Sequence, residues 1–368
     1  DNCIAVAMIL AILSDDTLVH PPIEAVFTVD EEVGMDGAFA LDCSDLKGRR
    51  LLNLDSEMEG VFTVSCAGGM RSDCFFPAAL TPAEGMDVCK LTISGLQGGH
   101  SGADIHLGRG SANRLMGRVL CAALEKFPGL RLAAIDGGEF DNVICSRCEA
   151  TVALPAEKGE AFAAFARELD AALKNEYAVT DPGVALECVP SSADRAVSPE
   201  RTAVLLRALA VLPHGVEAMD TDFPGLVQTS LNMGVVRLDD AGLHVTFSIR
   251  SSIASRKEML AQRVRAAAEL AGGTVTERGV YPGWQYRRDS QFRETLLAAY
   301  KDLTGKDGVV EATHGGLECG LFMEKLPGLD AVSLGPDIPD IHSVRERLGV
   351  SSVARTYALV CEVLRRSV

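Results

Sequence analysis

Short β-branched runs alternate with amphipathic segments along the whole chain, and that order limits the fold more than any other feature. Residues 1–13 have helical spacing, with an Asp-Asn pair suited to a helix start. Residues 23–29 alternate and are β-branched, which predicts a strand ending at Asp30-Glu31-Glu32, ahead of the turn-forming Gly34. Residues 51–54 predict a second short strand, ending at Asp55. Acids at the carboxyl ends of two strands stand where an open α/β sheet presents its ligand site. After Cys66-Ala67-Gly68-Gly69 the character changes. Strands are expected at 88–93 and 150–154, helices at 111–126 and 159–173, then an alternating strand within 238–250 and a helix at 257–271. That order suits an α+β module on one antiparallel sheet. Beyond Tyr281-Pro282-Gly283-Trp284 follow a helix (291–303), a glycine-rich loop, a strand (331–334) and a closing helix (351–364). The expected fold is α/β, with a mixed-sheet catalytic domain in two parts, 1–68 and 284–368, interrupted by an inserted α+β lid domain at 69–283.

At 368 residues, two domains or one with a large insertion are expected. No run of eighteen apolar residues occurs, and the longest apolar stretch, 4–13, reads as a buried helix. It lacks the basic leader and small-residue cleavage site of a secretory signal. The net charge of -16, from 51 acids and 35 bases, disfavours nucleic acid or an anionic membrane as partner. Eleven scattered cysteines, an odd number, read as free thiols in a reduced, cytoplasmic protein. Cys145-Ser-Arg-Cys148 is the one close pair, and with no second pair or histidines nearby it is a weak signal for metal or redox use.

Carboxylates and neutral imidazoles are the usual ligands of paired divalent ions. Asp1, Glu31, Glu32 and Asp55 all fall in the first sixth of the chain, each beside apolar structure. Glu31-Glu32 before a glycine fits one carboxylate on metal and one over a substrate. Taken alone, the pair reads as an ordinary surface acid pair.

Its companions change that weighting. Thr28-Val-Asp-Glu-Glu-Val-Gly-Met-Asp-Gly37, Asn53-Leu-Asp-Ser-Glu57, Gly98-Gly-His-Ser-Gly102 and His314-Gly-Gly-Leu-Glu-Cys-Gly320 occur in that order. Together they resemble the aminoacyl-histidine dipeptidases, or cytosol non-specific dipeptidases, of the zinc metallopeptidase family that also contains carnosinases and aminoacylases. Ser230-Leu-Asn-Met-Gly-Val-Val236, Ile249-Arg-Ser251, Tyr281-Pro-Gly-Trp284, Ser333-Leu-Gly-Pro336 and His342-Ser343 extend the resemblance over essentially the whole chain.

The resemblance implies hydrolysis of dipeptides, Xaa-His among them, by a water activated at two zinc ions, with cobalt or manganese as substitutes. Asp1 matches the bridging ligand; Glu32 and Asp55 match terminal ligands on different ions, with His342 completing the ion of Glu32. Glu31 matches the general base and His100 the oxyanion donor of the lid, often acting across a dimer or after closure. Arg250 matches the clamp on the substrate carboxylate, a bidentate task suited to a guanidinium. Asn142 and Gly316 match substrate-contacting positions, while His106, His314 and Glu318 sit in family-like motifs behind the site. The implied partners are a small dipeptide and a second copy of the chain. The family places one more ligand in a His-x-Asp motif ahead of the bridging aspartate, and this chain begins at that aspartate. A missing N-terminal piece, and a chain incomplete for activity as it stands, are therefore expected. An aminoacylase or carboxypeptidase of the same family, and a non-catalytic relative acting as an interaction module, stay open as alternatives.

Overall fold

The computed structural model describes residues 3–368. The chain divides into two compact units: the part up to Gly68 together with Tyr281–Val368, and Gly69–Val280.

The first unit opens with α1 (Cys3–Leu13), the short helices α2 (Glu31–Gly34) and α3 (Asp36–Ala40), and strands β1 (Arg50–Asn53) and β2 (Val61–Cys66). The second unit follows with β3 (Gly68–Pro77), β4 (Leu80–Pro82), β5 (Asp87–Ser94), β6 (Gly99–His100) and α4 (Ala112–Lys126). It continues through β7 (Arg131–Gly137), β8 (Val143–Ile144), β9 (Cys148–Leu154), α5 (Gly159–Glu176), β10 (Ala185–Pro190), β11 (Arg195–Val197) and α6 (Pro199–Val211). It closes with β12 (Gly215–Met219), β13 (Val227–Leu238), β14 (Gly242–Ser251), α7 (Ala254–Leu270) and β15 (Thr274–Tyr281). The chain then returns to the first unit with α8 (Gln291–Thr304), β16 (Val309–Thr313), α9 (Cys319–Lys325), β17 (Asp330–Ser333) and α10 (Val350–Arg365). No helix among the described residues is long and apolar enough to cross a membrane.

The first unit carries the mixed sheet expected from the sequence, in the order β1-β17-β2-β16. β1 and β17 run parallel, as do β2 and β16, while β17 meets β2 antiparallel. Helix α8 starts where its sequence asks it to. Ser290 accepts the Arg293 N–H at 3.0 Å and donates to the buried Asp330 carboxylate at 2.7 Å, tying the cap to β17.

The second unit is built on nine strands, β10-β5-β9-β7-β13-β14-β3-β15 with β12 beside β13. β5/β9, β7/β9, β5/β10, β13/β14 and β12/β13 are all antiparallel. Helix α4 buries Leu115, Met116, Val119, Leu120 and Ala123 at helical spacing into the same core as Leu91, Ile93, Leu132 and Ile135 of the sheet. Each such aliphatic side chain contributes about 1.5–3 kcal/mol on full burial.

One expected strand does not form. Residues 23–29 join no ladder among the described residues, and Phe27 and Val29 remain exposed. Alternation and β-branching favour extended backbone, but a strand also needs a neighbour to accept its ladder. Here the segment's bonds go elsewhere: the Val29 carbonyl accepts the Gly37 N–H at 2.9 Å, and the Thr28 hydroxyl donates to Glu318 at 2.9 Å. Of the two acidic strand ends expected, only Asp55 follows a strand.

The entry and exit of the inserted unit are tied together. Cys66 and Trp284 exchange two main-chain hydrogen bonds of 3.0 Å, and the Ser65 hydroxyl donates to the Trp284 carbonyl at 2.7 Å. A Cβ at Gly68 would stand 2.3 Å from the Gly283 nitrogen, so only glycine permits this approach.

Candidate active site

Glu31 and Glu32 form the first turn of α2, a single helical turn held between two residues in left-handed backbone, Asp30 (φ 56°) and Met35 (φ 61°). In the loop between β17 and α10, Asp340 (φ 60°) and His342 (φ 58°) are left-handed as well. Such conformations cost non-glycine residues about 1–3 kcal/mol each and cluster where a site over-determines its backbone. Four of the five described here belong to these two loops. The loops meet: His342 Nε2 lies 3.2 Å from Glu32 Oε1 and 3.1 Å from Oε2, across 310 residues of sequence.

The adjacent carboxylates have different surroundings. Glu32 is exposed and faces the imidazole, whereas Glu31 is half-buried. Burial pushes the Glu31 carboxyl above its usual range, the Glu32 and Glu318 charges push it further, and His342 opposes them. Glu318 stands at the start of α9, where burial raises its own carboxyl against the hydrogen bond from Thr28. That bond ties α9 to the segment carrying the Glu pair. The position was recognisable from the His314–Gly320 motif, but its charge beside Glu31 was not.

Asp55 follows β1 by two residues and is partly buried. The buried Cys319 thiol is raised well above its usual range by burial first, then by the Cys66, Asp55 and Glu318 charges. Gly316 lies in the loop before α9, where a Cβ would meet the Tyr281 ring at 3.0–3.5 Å. Asp1 lies outside the described residues. Among the described residues no three His, Cys, Asp or Glu side chains form a ready metal cluster. Of the predicted ligands, Glu32 and His342 are the pair brought together, and their donor types suit a divalent ion.

The other predicted residues belong to the second unit. His100 ends β6 in a turn entered through Gly98 (φ 66°) and Gly99 (φ 135°). Its Nδ1 accepts the N–H groups of Gly102 and Ala103 at 3.3 and 3.2 Å. Burial lowers the proton affinity of the imidazole, the nearby Arg250 charge lowers it further, and Asp104 opposes both. The balance favours the neutral imidazole. Arg250 is buried on β14 opposite Ser230 of β13. Asn142 accepts the Ser101 N–H on its carbonyl at 2.8 Å, joining its loop to that of His100. His106 lies exposed in the 3-10 turn Ile105–Leu107, and His314 is buried. Cys145 and Cys148 are buried free thiols.

Comparison with known proteins places the chain in a family. A family model described as a peptidase dimerisation domain matches residues 91–181, within the second unit. The cytosol non-specific dipeptidase of Escherichia coli (strain K12) is 37% identical over 368 residues, covering 99% of this chain and 76% of that protein. The crystal structure of aminoacylhistidine dipeptidase from Vibrio alginolyticus superposes with a TM-score of 0.93 at 36% identity, over all of this chain and 75% of that one. Aminopeptidase PepT from Bacillus cereus shares the fold alone, at a TM-score of 0.50 and 15% identity, over all of this chain and 71% of that one. With these motifs, this fold and that identity over its length, the chain belongs to the family of cytosol non-specific, or aminoacylhistidine, dipeptidases.

Proposed function

We propose that the protein hydrolyses unblocked dipeptides, Xaa-His among them, in a metal-dependent reaction with Glu31 as general base. The observation that carries this reading is the meeting of Glu32 and His342 beside the half-buried Glu31. A carboxylate and an imidazole brought together on strained backbone are ligand chemistry for zinc, and cobalt or manganese would be accepted by the same donors. Glu32 and His342 would hold one ion and Asp55 the second, and Asp1, which lies outside the described residues, matches a further ligand of the family's site. When bound, zinc supplies Lewis acidity that polarises a carbonyl and acidifies water.

The remaining work falls to side chains of this chain. Glu31 takes the proton of the attacking water and delivers it to the leaving amine. A carboxyl raised by burial and by two neighbouring carboxylates is better matched to both transfers than an ordinary one. Neutral His100 donates to the oxyanion that develops on the scissile carbonyl, a role in which one donor contributes about 2.7–4 kcal/mol. Arg250 pairs with the substrate carboxylate, and Asn142 and Gly316 contact the substrate. The match of residues 91–181 to a dimerisation domain supports a homodimer, and the name of the Escherichia coli relative supports a cytoplasmic location.

The test is a hydrolysis panel of unblocked dipeptides, N-acetylated amino acids and longer peptides, run with and without chelator. Cleavage confined to free dipeptides and abolished by the chelator is expected. Preferential cleavage of acetylated amino acids would move the protein to the aminoacylases, and chelator-resistant cleavage would remove the metal from the reaction.

A further inference from the structure

We infer that Asp104 is a positioning residue which, through the turn 98–104, fixes the His100 ring as the tautomer protonated at Nε2. The inference deepens the reading of His100 as oxyanion donor and rests on it for its catalytic consequence.

The tautomer follows from donor chemistry. A main-chain N–H can only donate, so the Gly102 and Ala103 N–H groups aimed at Nδ1 require a lone pair there. The single ring proton of a neutral imidazole then sits on Nε2, the nitrogen turned away from the turn. An oxyanion donor needs that arrangement, because the opposite tautomer would present a lone pair to a developing negative charge.

Asp104 closes the turn that makes this possible. Its carboxylate accepts the His100 N–H at 2.8 Å, while its own N–H donates to the His100 carbonyl at 2.8 Å. The pair of bonds holds residues 100–104 in one small ring, and Gly102 and Ala103 lie inside it. Arg109 braces the turn from behind, donating to the Gly98 carbonyl at 2.7 Å with the same nitrogen 3.6 Å from the Asp104 carboxylate. Gly99 admits this packing, since a Cβ there would stand 2.5 Å from both Arg109 Nη1 and Asp104 Oδ2. On the other side the Ser101 N–H donates to Asn142 and β6 pairs with β8.

Two measurements test the inference. Nitrogen-15 spectra of the whole protein, with the His100 signals identified by their loss in His100→Gln, should show Nδ1 bare and Nε2 protonated. In Asp104→Ala a mixture of tautomers is expected. A ring protonated at Nδ1 in the unaltered protein overturns the inference whatever the activity. Kinetically, Asp104→Ala should lower kcat about tenfold with little change in KM, as expected for loss of one charged hydrogen bond acting through the transition state. Asp104→Asn, which keeps an acceptor for the His100 N–H, should retain most of the rate. Asp104→Ala placed on His100→Ala should cost nothing more. Additive losses in that double variant would assign Asp104 a role apart from His100 and sink the proposal. Full activity of His100→Ala would instead remove the donor reading of His100, and the tautomer spectra would then decide the inference alone.

Discussion

Glu31 and Glu32 are neighbours in sequence with opposite surroundings, and their division of labour follows from that. Glu32 faces His342 in solvent, whereas Glu31 is drawn into a half-buried position against Glu318. Glu31→Gln preserves shape and hydrogen bonding but removes the proton acceptor. It should keep bound metal and lose about a thousandfold in turnover, checked by metal analysis alongside steady-state rates. Substantial residual activity would take Glu31 out of the base role. His214 is a second residue whose protonation has consequences, this time for stability. Its Nδ1 accepts the Met233 N–H at 3.0 Å, and burial, with the Arg114 charge, pushes the imidazole down to about 4. In the unfolded chain the same ring titrates near 6.5. The unfolded state therefore binds the proton first, so stability is intact above pH 6.5 and is lost as the pH falls through that value toward 4. The loss between pH 7 and pH 5 should be about 1–2 kcal/mol. Urea midpoints at the two pH values should show it, and His214→Asn should lack this contribution. Equal losses in both proteins would remove His214 as the cause.

At the scale of elements, the sequence was readable wherever the deciding interactions are local. Helices α4, α5, α7, α8 and α10 fall within a few residues of the apolar periodicity that predicts them, because each buries one stripe. The segment 23–29 was misread because alternation reports a preference for extended backbone and cannot report a ladder partner. The left-handed residues at Asp30, Asp340 and His342 were not readable at all, since their conformations are imposed by contacts between loops distant in sequence. The motifs therefore identified the site residues, while the single turn of α2 that presents the pair had no local signal. A similar non-local tie holds α4 to the sheet. The fully buried Asn113 shares the two hydrogens of its Nδ2 among the carbonyls of Gly137, Met233 and Gly234, at 3.0–3.2 Å. Asn113→Ala leaves three buried acceptors without that donor and should destabilise the second unit by about 2–4 kcal/mol. Denaturant midpoints measure this directly, and a change below half a kcal/mol would mean that water replaces the amide.

For the whole molecule, the expectation that follows from the matched dimerisation domain is an assembly of two chains. Light scattering at micromolar concentration should give twice the chain mass, and a single-chain mass at all concentrations would separate this protein from that expectation. The remaining consequence concerns the junction at Cys66, Gly68 and Trp284, where the segments leading into and out of the inserted unit are hydrogen-bonded to each other. A long excursion whose ends already touch adds little closure entropy beyond that of a short loop, because the cost rises only with the logarithm of length. The insertion is thus separable in principle: joining Gly68 to Tyr281 through a few glycines should leave the β1-β17-β2-β16 sheet able to fold. Circular dichroism and a cooperative melt of such a shortened chain would test it, and an unfolded product would show that the first unit depends on its guest. If it folds, the junction is a seam at which the unit could be gained, lost or exchanged in a single genetic step without disturbing its host.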